Sequence, residues 1–324
     1  MKLRSSSHTG LAVAAAGAML LVGCGGEPSA NNTGTGGTGA AVSGTVAADG
    51  SSTVAPLSES AATLFRANSP GINVTVATSG TGGGFKKFCA GETDISDASR
   101  PIKDEEKAAC ESAGIKFTEI IMANDGLSVV VNPRNDWATC LTVAQLSKIW
   151  APEAEGSVTS WQDVDPTFPN ERLDRYGAGT DSGTFDYFTE AVNGTAGAIR
   201  TDFSPSEDDN VTIQGVQGST GAMGFFGLSY AEENPDAVKI LQVDGGKGCV
   251  TPSKETVQDG SYSPLGRPLF IYVANASYTN KPQVKQFVDF YAERATEIAE
   301  QALFIPLTPE QQATAKDELA SIGG

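Results

Sequence analysis

The sequence predicts an α/β protein with two domains, and three observations carry that expectation. Past its first few dozen residues the chain leaves a body of roughly 280, long enough for two domains. Short β-branched runs alternate along it with amphipathic helical stretches, the pattern of an α/β architecture. Two compact apolar strands, "SVVVNP" from Ser128 and "RPLFIYVAN" from Arg267, follow polar sequence far apart and serve as crossings between the domains. The chain shows no internal repeat.

The elements follow in order. "PLSESAATLFRAN" sets Leu57, Ala61, Leu64 and Phe65 on one helical face, with Pro56 near the first helical position. "INVTVAT", Ile72 to Thr78, alternates as a strand; the Gly-rich "SGTGGG" then leads into a short helix through Phe85 and Phe88. "TEIIMANDGLSVVVNP" supplies strand, punctuated by Pro133. "TVAQLSKIW" reads as a helix with Val143, Leu146 and Trp150 in register, and Trp161 to Asn170 as loop. The end reads as two helices, "QVKQFVDFYAERATEIAEQAL" and "PEQQATAKDELASI", whose apolar faces pack on the N-terminal domain. Trp137, Trp150 and Trp161 are expected to be packing residues of the second domain.

The chain opens as an export signal: Lys2 and Arg4, the apolar run "LAVAAAGAMLLVG" from Leu11 to Gly23, then Cys24. That run is too short to span a bilayer. "LVGC" has the form of a lipobox, which makes Cys24 the lipidated first residue of the mature chain. The small, polar, Gly-rich residues 24–43 then form a flexible tether. The expected location is outside the cytoplasm, in the periplasm or on the outer cell surface, held to the membrane by lipid.

Four further cysteines, Cys89, Cys110, Cys140 and Cys249, suit two disulfides in an exported chain. Three pairings are open; Cys89 with Cys110 and Cys140 with Cys249 is favoured. With 22 Lys and Arg against 39 Asp and Glu, the net charge is −17. Loss of Lys2 and Arg4 takes the mature chain to about −19. A nucleic-acid partner is disfavoured; a small anion is not, because its site is a local arrangement of donors. The only histidine, His8, lies in the leader. Catalysis by Ser-His-Asp or Cys-His sets and the common zinc sites need imidazole. No catalytic residue, metal or cofactor is therefore expected.

Four stretches repeat one chemistry, hydroxyls and glycine leading into a helix: "DGSSTVAPL" (49–57), "TSGTGGGFKKF" (78–88), "SDASRPI" (96–102) and "GTDSGTFDYF" (179–188). Helix N-termini bind anions, because their first N–H groups lack intrahelical partners and the macrodipole is positive there. The same residues also cap ordinary helices. Two sharper motifs fail: Lys86 lies between Phe85 and Lys87, not in a Walker loop. Around Ser182, Thr180 and Thr184 stand where a nucleophile elbow needs glycine.

Taken in order behind a lipobox, "GSSTVAPL", "SGTGGGFKKF…TDISDASRPI" and "GTDSGTFDYF" resemble the phosphate-binding proteins of ABC importers, the PstS family. "TDSGTFDYFTEAVNG" and "SEDDNVTIQGV" resemble its SphX-like branch. The resemblance covers the mature body. It implies a type II periplasmic-binding-protein fold: residues 44–130 with 266–324 as one α/β lobe, 131–265 as the other, two crossing strands and a ligand cleft between.

It also implies a monomeric receptor that captures inorganic phosphate and delivers it to a membrane permease. The matching positions are Ser52 and Thr53, Thr81 (with Ser79 as the alternative), and Ser182, Gly183 and Thr184. Relatives often carry an Asp where this chain has Ser99, and an Arg where it has Ala178. Arg100 is expected to supply the guanidinium. Asp181, or Glu207 or Asp208 of "SEDDN", is expected to accept the proton that phosphate carries and sulfate lacks. A sulfate or other oxyanion receptor is the alternative reading, and an exported phosphatase a more distant one.

Overall fold

The computed structural model describes residues 42–180 and 182–322. The leader, Cys24, most of the tether and Asp181 lie outside the described residues.

The strands are β1 (Gly44–Gly50), β2 (Ile72–Thr78), β3 (Ile95–Ala98), β4 (Phe117–Val131), β5 (Cys140–Thr142), β6 (Asp174–Ala178), β7 (Ser204–Ser206), β8 (Ala222–Gly227), β9 (Lys239–Ile240), β10 (Gln242–Asp244), β11 (Cys249–Val250) and β12 (Gly266–Ala274). Nine of them form one sheet in the order β2-β1-β3-β12-β4-β8-β6-β7, with β9 also on β4. β1 runs parallel to β2 and β3. β12 inserts antiparallel between β3 and β4.

β4 binds the sheet together. Its first part, from Phe117 to Gly126, pairs with β12, and Leu127 to Val131 pair with β8. Burial alternates at its start and then becomes continuous. A strand covered on both faces reads as an apolar run, and "LSVVV" is one but for Ser128, whose buried hydroxyl donates to Phe226 O at 2.9 Å.

Two main apolar cores flank the crossing. One gathers Val46, Leu57, Phe65, Met122, Leu269 and Phe287; the other gathers Leu127, Trp150, Trp161, Phe188 and Phe225. In the second, Phe188 stacks on Phe225 at 3.8 Å and Trp150 meets both rings edge-on. Each such buried aromatic contributes about 1.5–3 kcal/mol through area removed from water. Trp150 and Trp161 are fully buried and Trp137 packs against them.

The helices that position the site are α1 (Ala55–Asn68), α2 (Thr81–Cys89), α3 (Asp104–Ser112), α4 (Val143–Trp150), α5 (Trp161–Val164), α6 (Gly183–Asn193) and α7 (Asp209–Gly218). α1 buries Leu57, Ala61 and Phe65, with Pro56 in its first turn. Disulfides join Cys89 to Cys110, tying α2 to α3, and Cys140 to Cys249, tying β5 to β11. No described helix is long and apolar enough to cross a membrane.

Two expectations need correction. Residues 161–170 are not all loop: Ser160 accepts the Asp163 N–H while Asp163 accepts the Ser160 N–H, and this reciprocal cap starts α5. The run from Gln283 to Leu303 is not one helix. It breaks at Arg294 (φ −102°, ψ 15°) into Pro282–Glu293 and Ala295–Gln301, and a further short helix, Asn275–Asn280, precedes it. Phe287, Tyr291, Ala295 and Ile298 are buried on both sides of the break, so the apolar period runs through it unchanged.

Candidate functional site

All four hydroxyl-rich stretches precede helices, α1, α2, α3 and α6. The turn of the first is set by backbone hydrogen bonds. Ser51 N–H bonds Asp97 O at 2.9 Å, and the N–H groups of Val54 and Ala55 turn back to Ser51 O. A Cβ on Gly50 would sit 2.0 Å from Asp97 O, so only glycine lets β1 end this close to β3.

Between these loops lies a cavity of about 250 Å³. Ser52, Thr53, Thr81, Ser99 and Arg100 line one side, and Asp186, Tyr187 and Glu190 of α6 line another. Thr81 Oγ1 and Ser99 Oγ lie 3.1 Å apart, and Ser99 N–H also donates to Thr81 Oγ1. Ser79 is turned away: its N–H and Oγ both donate to Asp49, which also pairs with Lys87. Burial pushes the Asp49 carboxyl up, but the hydrogen bonds from Lys87 and Ser79 outweigh it and hold the group below the usual range.

Arg100 reaches the cavity with its fork occupied. Nη1 and Nη2 donate to the two oxygens of Glu106 at 2.9 and 2.8 Å, and Nη1 also meets Pro101 O. A second guanidinium, Arg267 at the start of β12, lines the same cavity. Its Nη2 donates to Thr53 Oγ1 at 3.0 Å, its Nη1 to Ser99 O at 3.2 Å, and its Nε faces Asp125 Oδ2 at 3.4 Å. The guanidinium carbon lies over the Tyr187 ring. Burial drives the Asp125 carboxyl up against the opposing pull of Arg267.

α6 closes against the first loop. Thr53 Oγ1 donates to Gly183 O at 3.1 Å, and a Cβ on Gly183 would lie 2.5 Å from Thr53 N. Ser182 caps the helix by accepting the Thr184 N–H. One turn on, Asp186 faces Ser52 Oγ at 3.4 Å, and burial raises its pKa. Thr184 lines a separate cavity of about 200 Å³ with Asp125, Asp209 and Ser229.

A model of the PBP superfamily domain matches residues 35–295. Protein SphX of Synechocystis is 46% identical over 82% of this chain and 79% of its own length. Phosphate-binding protein PstS of Staphylococcus saprophyticus is 39% identical over 96% and 93%.

The chain belongs to the PstS family, on its SphX-like branch.

The crystal structure of a possible phosphate binding protein from Planctomyces limnophilus, 44% identical, superposes with a TM-score of 0.83 over 87% of this chain and 100% of that one. The fold is the periplasmic-binding-protein fold that the sequence implies.

Family membership sharpens the departures. Ala178, the position where the resemblance led an Arg to be expected, is buried in the core around Trp150 and Phe225. Arg267 was missed by sequence reasoning; the one available signal was a charged residue at the head of a strand otherwise apolar. Of the acid candidates, Asp181 lies outside the described residues. The Glu207 carboxylate lies against Gly179, whose Cβ would meet Oε1 at 2.1 Å. Asp208 caps α7 through the Asn210 N–H. Glu207 and Asp208 are absent from the lining of the 250 Å³ cavity, where Asp186 and Glu190 supply the carboxylates.

Proposed function

We propose that this chain is an exported, lipid-anchored receptor that captures inorganic phosphate in the 250 Å³ cavity and hands it to an ABC permease without covalent chemistry. The observation that carries this reading is convergence. Hydroxyls from three N-terminal loops, the guanidinium of Arg267 and the Asp186, Tyr187 and Glu190 side chains of α6 meet at one cavity, while Ser182 and Gly183 lie outside its lining. Such donors, fixed before the ligand arrives and shielded from water, favour an oxyanion strongly. The name of the PstS relative, phosphate-binding protein, points to the same ligand.

In this reading residues 44–130 with 266–324, and residues 131–265, are two lobes that close on the anion. Phosphate touches both lobes only when they are shut, so it shifts the population toward the closed form. Ser52, Thr53, Thr81 and Ser99 contact it from one lobe and α6 faces it from the other through Asp186, Tyr187 and Glu190; Ser182, Gly183 and Thr184 act by seating the start of α6 on the 51–53 loop. Arg267 takes the role sought for Arg100, which serves as an ion-paired wall. Asp186 accepts the phosphate proton and repels sulfate.

The test is calorimetric titration of the signal-free, lipid-free chain, stripped of anion, with phosphate and separately with sulfate. One-site binding of phosphate with sulfate silent is the expected result. Equal binding of both, or of neither, would reassign the ligand.

A further inference from the structure

A third cavity, about 660 Å³, lies at the far end of β6 from α6, between the start of that strand, residues 159–160 and residues 202–204. Its wall contains an arginine whose charge is answered only by a carboxylate that another arginine already holds. Arg200, fully buried, forks onto Asp202: Nε meets Oδ1 and Nη2 meets Oδ2 at 2.7 Å, while Nη1 donates to Ile149 O and Val158 O. Arg175, its side chain only 8% exposed, is left with shared acceptors. Its Nη1 goes to the same Val158 O, and its Nη2 reaches the same Asp202 oxygen at only 3.4 Å. Its Nε is buried and finds no acceptor among the described residues. Burial and the charge of Arg200 both lower its pKa. The exposed Arg172 adds no excess, because Asp174 pairs with it at 2.8 Å.

Two buried guanidiniums thus divide one carboxylate, leaving a positive charge beside open space in a chain whose net charge is −17. A buried charge without a full counter-charge is costly, and an anion in the cavity supplies it. Polar groups that could bind the rest of a ligand stand around it: Asn170, Tyr176 and Ser204. The sheet edge is open there as well, because β7 pairs with β6 only from Tyr176 onward, leaving Asp174 and Arg175 with a strand partner on the β8 side alone.

We propose that this cavity is a second binding site, for a small organic anion whose carboxylate or phosphoryl group pairs with Arg175. The site is separate from the phosphate cavity and does not depend on that reading. At about 3.3 Å per residue, β6 sets Asp174 roughly 13 Å from Ala178, the strand's last residue before the loop that leads to α6.

The test is titration of the lipid-free chain with citrate and with glucose 6-phosphate, in buffer already holding saturating inorganic phosphate. Saturable binding of either probe is expected, weakened at least tenfold by Arg175→Gln. Ser204→Trp fills the cavity from an exposed position without touching the contacts of Arg175, and should weaken binding equally with the thermal transition unchanged. Preference between the two probes identifies the anionic group. Absence of saturable binding, or binding unaltered in Ser204→Trp, would overturn the proposal.

Discussion

The guanidinium carbon of Arg267 lies 3.3 Å from the centroid of the Tyr187 ring. Arg267 opens β12 and Tyr187 stands on α6, so one stacked pair joins the crossing strand to the helix that closes the cavity. Tyr187 is itself pinned, its hydroxyl donating to Pro264 O at 2.7 Å. Arg267→Lys keeps the charge but loses the planar fork and the stack. Phosphate affinity should fall at least tenfold, about 1.4 kcal/mol. Tyr187→Phe, which keeps the ring, should lose much less than Tyr187→Leu. Calorimetry on the three variants checks both statements.

Asp186→Asn should change selectivity more than affinity. The change removes the charge that repels sulfate and leaves only a neutral amide oxygen, a weaker acceptor, for the phosphate proton. Sulfate binding should appear while phosphate weakens. In the unaltered chain the preference for phosphate should fade on acidification, at a higher pH than a fully exposed aspartate would give, because burial raises the pKa of Asp186. Competition titrations across pH read this directly.

Gly183→Ala should uncouple the two sides. The added carbon would lie 2.5 Å from Thr53 N and 2.6 Å from Thr53 Cα, backbone atoms that cannot swing away. α6 must lift off the 51–53 loop, and phosphate affinity should drop more than tenfold with the ligand-free thermal transition little changed. Trp150 packs edge-on to Phe188 of α6, so its fluorescence reports whether the helix still seats on adding phosphate.

Asp97 gives a stability prediction. It is fully buried, its Oδ1 accepts from Ser58 at 2.9 Å, and its Oδ2 finds no donor among the described residues. Burial, with the nearby charges of Asp49 and Glu59, raises its pKa to about 7. The folded state therefore holds a proton that the unfolded chain releases near pH 4. Stability is greatest below that value and falls as pH climbs through about 7, by up to about 4 kcal/mol. Asp97→Asn keeps the acceptor for Ser58 and should flatten the decline, so the variant gains on the parent at pH 8. Melting curves from pH 5 to 8 decide it.

The parts of the fold legible in the sequence are those written in local period. β2 occupies the predicted Ile72–Thr78, and α4 fills "VAQLSKIW" as read. The break at Arg294 was invisible because Phe287, Tyr291, Ala295 and Ile298 keep helical spacing across it. α5 carried a cap signal, Ser160 with Asp163, that its four-residue length and the prolines after it obscured. At the site, the hydroxyl loops announced themselves by composition. The roles of the arginines did not, because Arg100 is tied down by Glu106 across a turn and Arg267 meets Thr53 only when strands far apart in sequence come together. Both guanidiniums have a carboxylate, Glu106 at 2.8 Å for Arg100 and Asp125 at 3.4 Å for Arg267, and residue type alone does not say which pair is the looser.

The insertion of β12 between β3 and β4 sets an order of assembly. A chain emerging N-terminus first presents β1, β2, β3 and the front of β4 before the strand that must lie between the last two exists. The core around Trp150 and Phe225, drawn almost wholly from residues 127–265, is nearly complete by then. The middle of the chain can therefore settle first, while β3 and β4 wait with open edges, the state most exposed to wrong pairing. A chain stopped just short of Gly266 would keep one heart and never form the other.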